Sequence, residues 1–72
     1  MNSLYAIPFG YTFDIDGDNI TEYIFFRNLE KANKKRNEII EKTGIIPTVM
    51  KVDDLFYELY TDTLGCSVDI IE

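Results

Sequence analysis

Histidine and tryptophan are absent from this 72-residue chain, cysteine occurs once and proline twice. Without His the chain lacks the side chain that titrates near neutral pH and the commonest transition-metal ligand. A lone Cys66 can build neither a thiolate metal cluster nor an internal disulfide. Secreted domains of this size commonly carry several disulfides, so the cysteine usage points to a reducing cytoplasm. Long apolar runs are missing as well: nothing approaches the ~18 to 20 residues of a membrane span, and Met1 to Tyr5 lacks the basic and apolar regions of a secretory signal. Neither export nor membrane insertion is expected.

What is present describes a folding chain. The composition is 46% apolar, 14% aromatic and 28% charged, far from the low-hydrophobicity signature of disorder. A mass of 8.4 kDa allows one domain, spanning residues 1 to 72. A core built from ~70 residues is marginal without staples or metal, and self-association is one usual remedy.

Charge is unevenly spread within the net of −6. Residues 1 to 26 carry four acids and no base. Residues 27 to 42 carry six bases, Arg27, Lys31, Lys34, Lys35, Arg36 and Lys42, against Glu30, Glu38 and Glu41. The remainder sets Lys51 against Asp53, Asp54, Glu58, Asp62, Asp69 and Glu72. Such a field governs encounters and solubility rather than fold, and the acidic total disfavours sequence-independent nucleic-acid binding.

Leu4 to Phe13 alternates with period two, Tyr5, Ile7, Phe9, Tyr11 and Phe13 on one side, which is a strand pattern. Asp14 to Asn19 is turn chemistry, and Ile20 to Phe26 is again β-branched and aromatic. With Asp16 and Gly17 at the turn centre, Phe13 pairs with Ile20, Tyr11 with Glu22, Phe9 with Ile24 and Ile7 with Phe26. The opposite face then pairs Pro8 with Phe25 and Gly10 with Tyr23, an aromatic ring over each weak strand position. Pro8 donates no ladder hydrogen bond, so one edge of the first strand should be free near it.

Asn28 as N-cap, Glu30 in the first turn and Gly44 as a stop bound a helix over Leu29 to Thr43. Leu29, Ala32, Arg36, Ile39, Ile40 and Thr43 form its inward stripe, and the lysines face away. Thr48 to Val52 reads as a short strand. Asp53 to Leu64 follows helical spacing between Asp53 and Gly65, although its Phe, Tyr and Thr content also suits a strand. Cys66 to Ile71 reads as a closing strand. The order ββαβ(α)β predicts an α+β fold, a small antiparallel or mixed sheet with one main helix packed on one face. The run Tyr23-Ile24-Phe25-Phe26-Arg27-Asn28-Leu29-Glu30-Lys31-Ala32 resembles the strand-into-helix junction of small uncharacterised phage and prophage proteins of low-GC Gram-positive bacteria. Short length, acidity and richness in Lys, Asn and Ile fit that group, and the resemblance carries no functional residue with it.

Several residues invite a chemical reading. Asp14, Asp16 and Asp18 have the spacing of the first calcium-loop ligands, but Asn19 and Phe25 stand where that loop needs Gly and Glu, so the segment reads as an acidic turn. Cys66 has no neighbouring base or cation to activate it. No acid, base and nucleophile converge, and neither enzymatic activity nor a cofactor or metal is expected. Arg36 falls in the helix's apolar stripe, which predicts an ion pair with Glu22 on the facing sheet. Pro8, Tyr23, Phe25 and Arg27 form a second sheet face, free for a partner unless residues 53 to 64 cover it. The chain is therefore expected to be a non-enzymatic interaction protein, with another protein or a second copy as partner. The alternative is a nucleic-acid accessory protein using Lys31, Lys34, Lys35 and Lys42 with the aromatic face.

Overall fold

A computed structural model describes residues 3–72. Met1 and Asn2, which open the segment read for an export signal, lie outside the described residues. The elements are β1 (Leu4–Phe13), β2 (Asn19–Phe26), α1 (Leu29–Thr43), β3 (Met50–Val52), α2 (Asp54–Leu64) and β4 (Ile70–Ile71). They build an open four-stranded mixed sheet in the order β3-β1-β2-β4. The β1 to β2 and β1 to β3 pairings are antiparallel, and β4 lies parallel to β2. The expected small α+β architecture is thus what forms, with the segment after β3 helical.

Strands β2, β3 and β4 run in one direction, so α1 and α2 are crossover helices. The first crossover steps from β2 to the β3 edge and the second steps back across the sheet to the β4 edge. Two crossovers of one hand that step in opposite directions must lie on opposite faces. The packing agrees. Ala32 and Ile39 of α1 bury Ile7 and Phe26, whereas Tyr60 of α2 packs with Ala6 and Phe25, the alternate strand positions. Both helices end as their sequences imply. The Asn28 side chain accepts from the Glu30 and Lys31 amides and the Asp53 side chain from the Phe56 amide, and Gly44 and Gly65 close the C-termini in left-handed conformations.

The hairpin register departs from expectation in two steps. Phe13 faces Asn19 rather than Ile20, and Tyr11 faces Thr21 rather than Glu22. A bulge then places Phe9 and Gly10 together against Glu22, after which Pro8 pairs with Tyr23 and Ala6 with Phe25. Gly10 has φ +80°, where a side chain would be strained. The first offset comes from the turn. The Asp14 carboxylate accepts from the Asp16 and Asp18 amides at 2.9 and 2.8 Å, and the Asp14 amide bonds the Asp18 carbonyl, so five residues close the hairpin. Because side chains alternate, one bulged residue reverses the facing of everything beyond it. Ile7 therefore stays over α1, while Tyr11 and Phe13 are turned away from that helix.

Pro8 explains the short third strand. The Tyr23 N–H points away from β1, to the Tyr60 hydroxyl at 3.1 Å, so the Pro8 to Tyr23 pair exchanges no hydrogen bonds and the Pro8 nitrogen faces the β3 side. Continuing the β1 to β3 register would set Thr48 opposite Pro8, where no donor exists, and the ladder stops at Ala6 and Met50 instead of reaching Thr48. The closing strand is also shorter than the expected Cys66 to Ile71. The Tyr57 hydroxyl donates to the Val68 carbonyl, which is thereby lost to a ladder, and Cys66 is exposed in the connection.

Candidate functional site

The second sheet face is not free. Phe25 is fully buried, with rings of Tyr57, Tyr60 and Phe56 at centroid distances of 5.1, 5.4 and 6.2 Å. Pro8 and Tyr23 are half-buried, and Tyr23 makes edge contacts with Phe56 and Tyr60. The face expected to receive a partner is instead the seat of α2, because the apolar side of that helix needs the largest apolar surface within reach. Arg27 is held at the base of the same seat. Its Nη1 lies 3.7 Å from the Asp54 carboxylate, a Coulombic contact longer than a hydrogen bond, and its backbone N–H donates to the Ile71 carbonyl. Arg27 thus tethers the start of α2 and the end of β4.

Arg36 does not meet Glu22. Its Nε–H donates to the carbonyl of buried Pro47 at 2.9 Å, and among the described residues the ion pairs are Arg27 with Asp54 and Lys35 with Glu38. A guanidinium at the edge of an apolar stripe reaches the nearest unsatisfied acceptor, and the connection leaving α1 supplies one. Lys31, Lys34 and Lys42 are exposed on α1, while Lys35 is half-buried beside Glu38 and the Lys31 ammonium donates to the Glu72 carbonyl. The lysines and the aromatic face lie on opposite sides of the sheet, so the structure does not bring them together.

Two apolar surfaces remain. The outer half of β1 leaves Phe9, Tyr11 and Phe13 exposed, Tyr11 by 79% and Phe13 by 65%. Residues 45 and 46, after α1, are exposed isoleucines. Since α1 runs back from the Phe26 end for 15 residues, about 22 Å, it ends level with the outer half of β1. Sequence reasoning missed this surface because it had placed Tyr11 and Phe13 under α1. The only available signal was Gly10, a residue that often marks a bulge within a strand.

The other surface is a groove of about 370 Å³, open to solvent, between the free edge of β2 and α2. Ile20, Thr21 and Tyr23 line it from the sheet, and Phe56, Leu59, Tyr60 and Thr63 from the helix. Burial raises the Tyr60 hydroxyl above its ordinary range; the Tyr23 amide opposes this in part, and the negative charge of Glu22 adds to it. No group of three or more Asp, Glu or Cys side chains suited to a metal occurs among the described residues. No helix among them is long and apolar enough to cross a membrane. No protein family matches the chain, and no curated protein and no solved structure matches it.

Proposed function

We propose that this chain is a non-enzymatic protein-interaction domain that engages its partner, another protein or a second copy, through the outer half of the β1–β2 hairpin. The observation that carries this reading is the exposure of Tyr11 and Phe13 on one face of a strand whose outer edge Pro8 leaves unpaired. Neighbouring exposed aromatics such as this pair are typical of interface cores, and they give large contact area at low entropic cost. Pro8 and the Gly10 bulge both oppose strand addition, so the contact is made by side chains rather than by extending the sheet. The phage or prophage resemblance fits a small binding protein of this kind.

The test is solution mass by light scattering across a wide concentration range, with capture of partners from a lysate, for wild type and a Tyr11→Ser, Phe13→Ser variant. Both positions are exposed, so the variant keeps its fold. A dimer or a captured partner that the variant loses supports the reading; association that the variant retains in full removes it. The nucleic-acid alternative draws on the exposed Lys31, Lys34 and Lys42, and it requires oligonucleotide affinity that falls steeply with salt.

A further inference from the structure

The groove between β2 and α2 has a particular electrostatic frame. Glu22 sits between the lining residues Thr21 and Tyr23 on β2. Asp62 lies one turn from Leu59 on the outer side of α2 and is exposed. At the far end the Ile15 amide bonds the Thr63 carbonyl at 2.9 Å, which brings the turn bearing Asp14, Asp16 and Asp18 against the groove. That end is also the C-terminus of α2, where the helix dipole is negative and no basic residue occupies the last turn. The bases are elsewhere: Arg27 is engaged with Asp54, five belong to α1 on the opposite face, and Lys51 lies on the far edge strand.

We infer that this groove receives a cationic amphipathic segment of a partner protein, with apolar side chains against Leu59 and Phe56 and Lys or Arg side chains against the acidic rim. Exposed Leu55, one turn before Leu59, extends the apolar row along α2, so the site offers a lengthwise track rather than a single pocket. A second copy is a poor occupant. Its exposed hairpin brings Asp14, Asp16 and Asp18 toward an acidic rim, and the outer face of its α1 carries Lys and Glu without an apolar row. This inference shares with the proposed function the premise that the chain works by binding, and differs in surface and in partner chemistry.

The experiment titrates a Leu/Lys peptide of about 18 residues, roughly five helical turns, into the full chain and follows backbone amide resonances. A scrambled peptide of the same composition and a Leu/Glu counterpart serve as controls. Shifts concentrated at Ile20, Thr21, Leu59 and Thr63 are expected, with affinity lowered about tenfold or more by Leu59→Ala with Asp62→Lys and unchanged by Tyr11→Ser with Phe13→Ser. Both groove substitutions are at exposed positions, and an unchanged spectrum elsewhere verifies the fold. Absence of binding, or equal binding of the scrambled or Leu/Glu peptide, overturns the inference. Shifts at Tyr11 and Phe13 instead overturn the groove while leaving the hairpin surface of the proposed function standing. Dimerisation of the free chain through the groove also overturns it.

Discussion

Replacing Phe25 should destabilise this protein more than replacing any of its exposed aromatics, although the sequence places it on the same alternating face as half-buried Tyr23. Phe25 has no exposed surface and touches four rings, with Tyr57 in an edge contact at 5.1 Å. Truncating such a ring to Ala removes its transfer free energy and leaves a cavity, typically about 3–5 kcal/mol. A 72-residue domain holds roughly 4–11 kcal/mol in total, so Phe25→Ala should remove a large fraction of the stability, and all of it at the low end of that range. Phe25→Leu keeps most of the volume and should cost about 1–2 kcal/mol, enough to move a urea midpoint by roughly 1–2 M at a slope of about 1 kcal/mol/M. Tyr11→Ala, at a position 79% exposed, should change stability by no more than about 0.5 kcal/mol. The assay is urea unfolding followed by far-UV circular dichroism, since the chain has no Trp for fluorescence. If Phe25→Leu and Tyr11→Ala unfolded at the wild-type midpoint, α2 would not be seated on the sheet and the account of the covered face would be wrong.

Further outcomes follow from single contacts. Glu22→Gln should leave stability within about 0.5 kcal/mol because Glu22 forms no ion pair among the described residues, whereas Arg36→Ala strips buried Pro47 of its donor and should cost about 1–2 kcal/mol in the same assay. Gly65→Ala should destabilise by more than about 1 kcal/mol. The residue has φ +74° and an added Cβ would sit 3.0 Å from Ile15 Cδ1, so the turn must shift as well. Tyr60 binds its proton more tightly folded than unfolded, so its contribution is intact below the ordinary value of 10.0 and is lost as pH rises through the folded value. Urea midpoints should therefore fall in that alkaline window more steeply for wild type than for Tyr60→Phe. Near neutral pH that variant should lose about 1 kcal/mol from the unpartnered Tyr23 amide.

The amino-acid sequence alone determined the parts whose causes are local. Asn28 and Gly44 bound α1 because capping involves only adjacent amides and carbonyls, and Asp53 and Gly65 do the same for α2, a segment whose aromatic content also suited a strand. The existence of the hairpin, the free edge beside Pro8 and the uneven distribution of charge were legible for the same reason. Tertiary structure decided what depends on distant groups. The register shifted because Asp14 captured two amides and Ile15 bonded Thr63, forty-eight residues away in the chain; the bulge at Gly10 then turned Tyr11 and Phe13 away from α1. Arg36 found Pro47 rather than Glu22 because a long cation takes whichever acceptor the packed connection presents. The opposite directions of the two crossovers put a basic helix on one side of the sheet and an acidic one on the other, covered the aromatic face and left a groove with the acidic turn at one end. No short window of sequence contains that outcome, since it follows from which strand edges remain open when each helix has to pack.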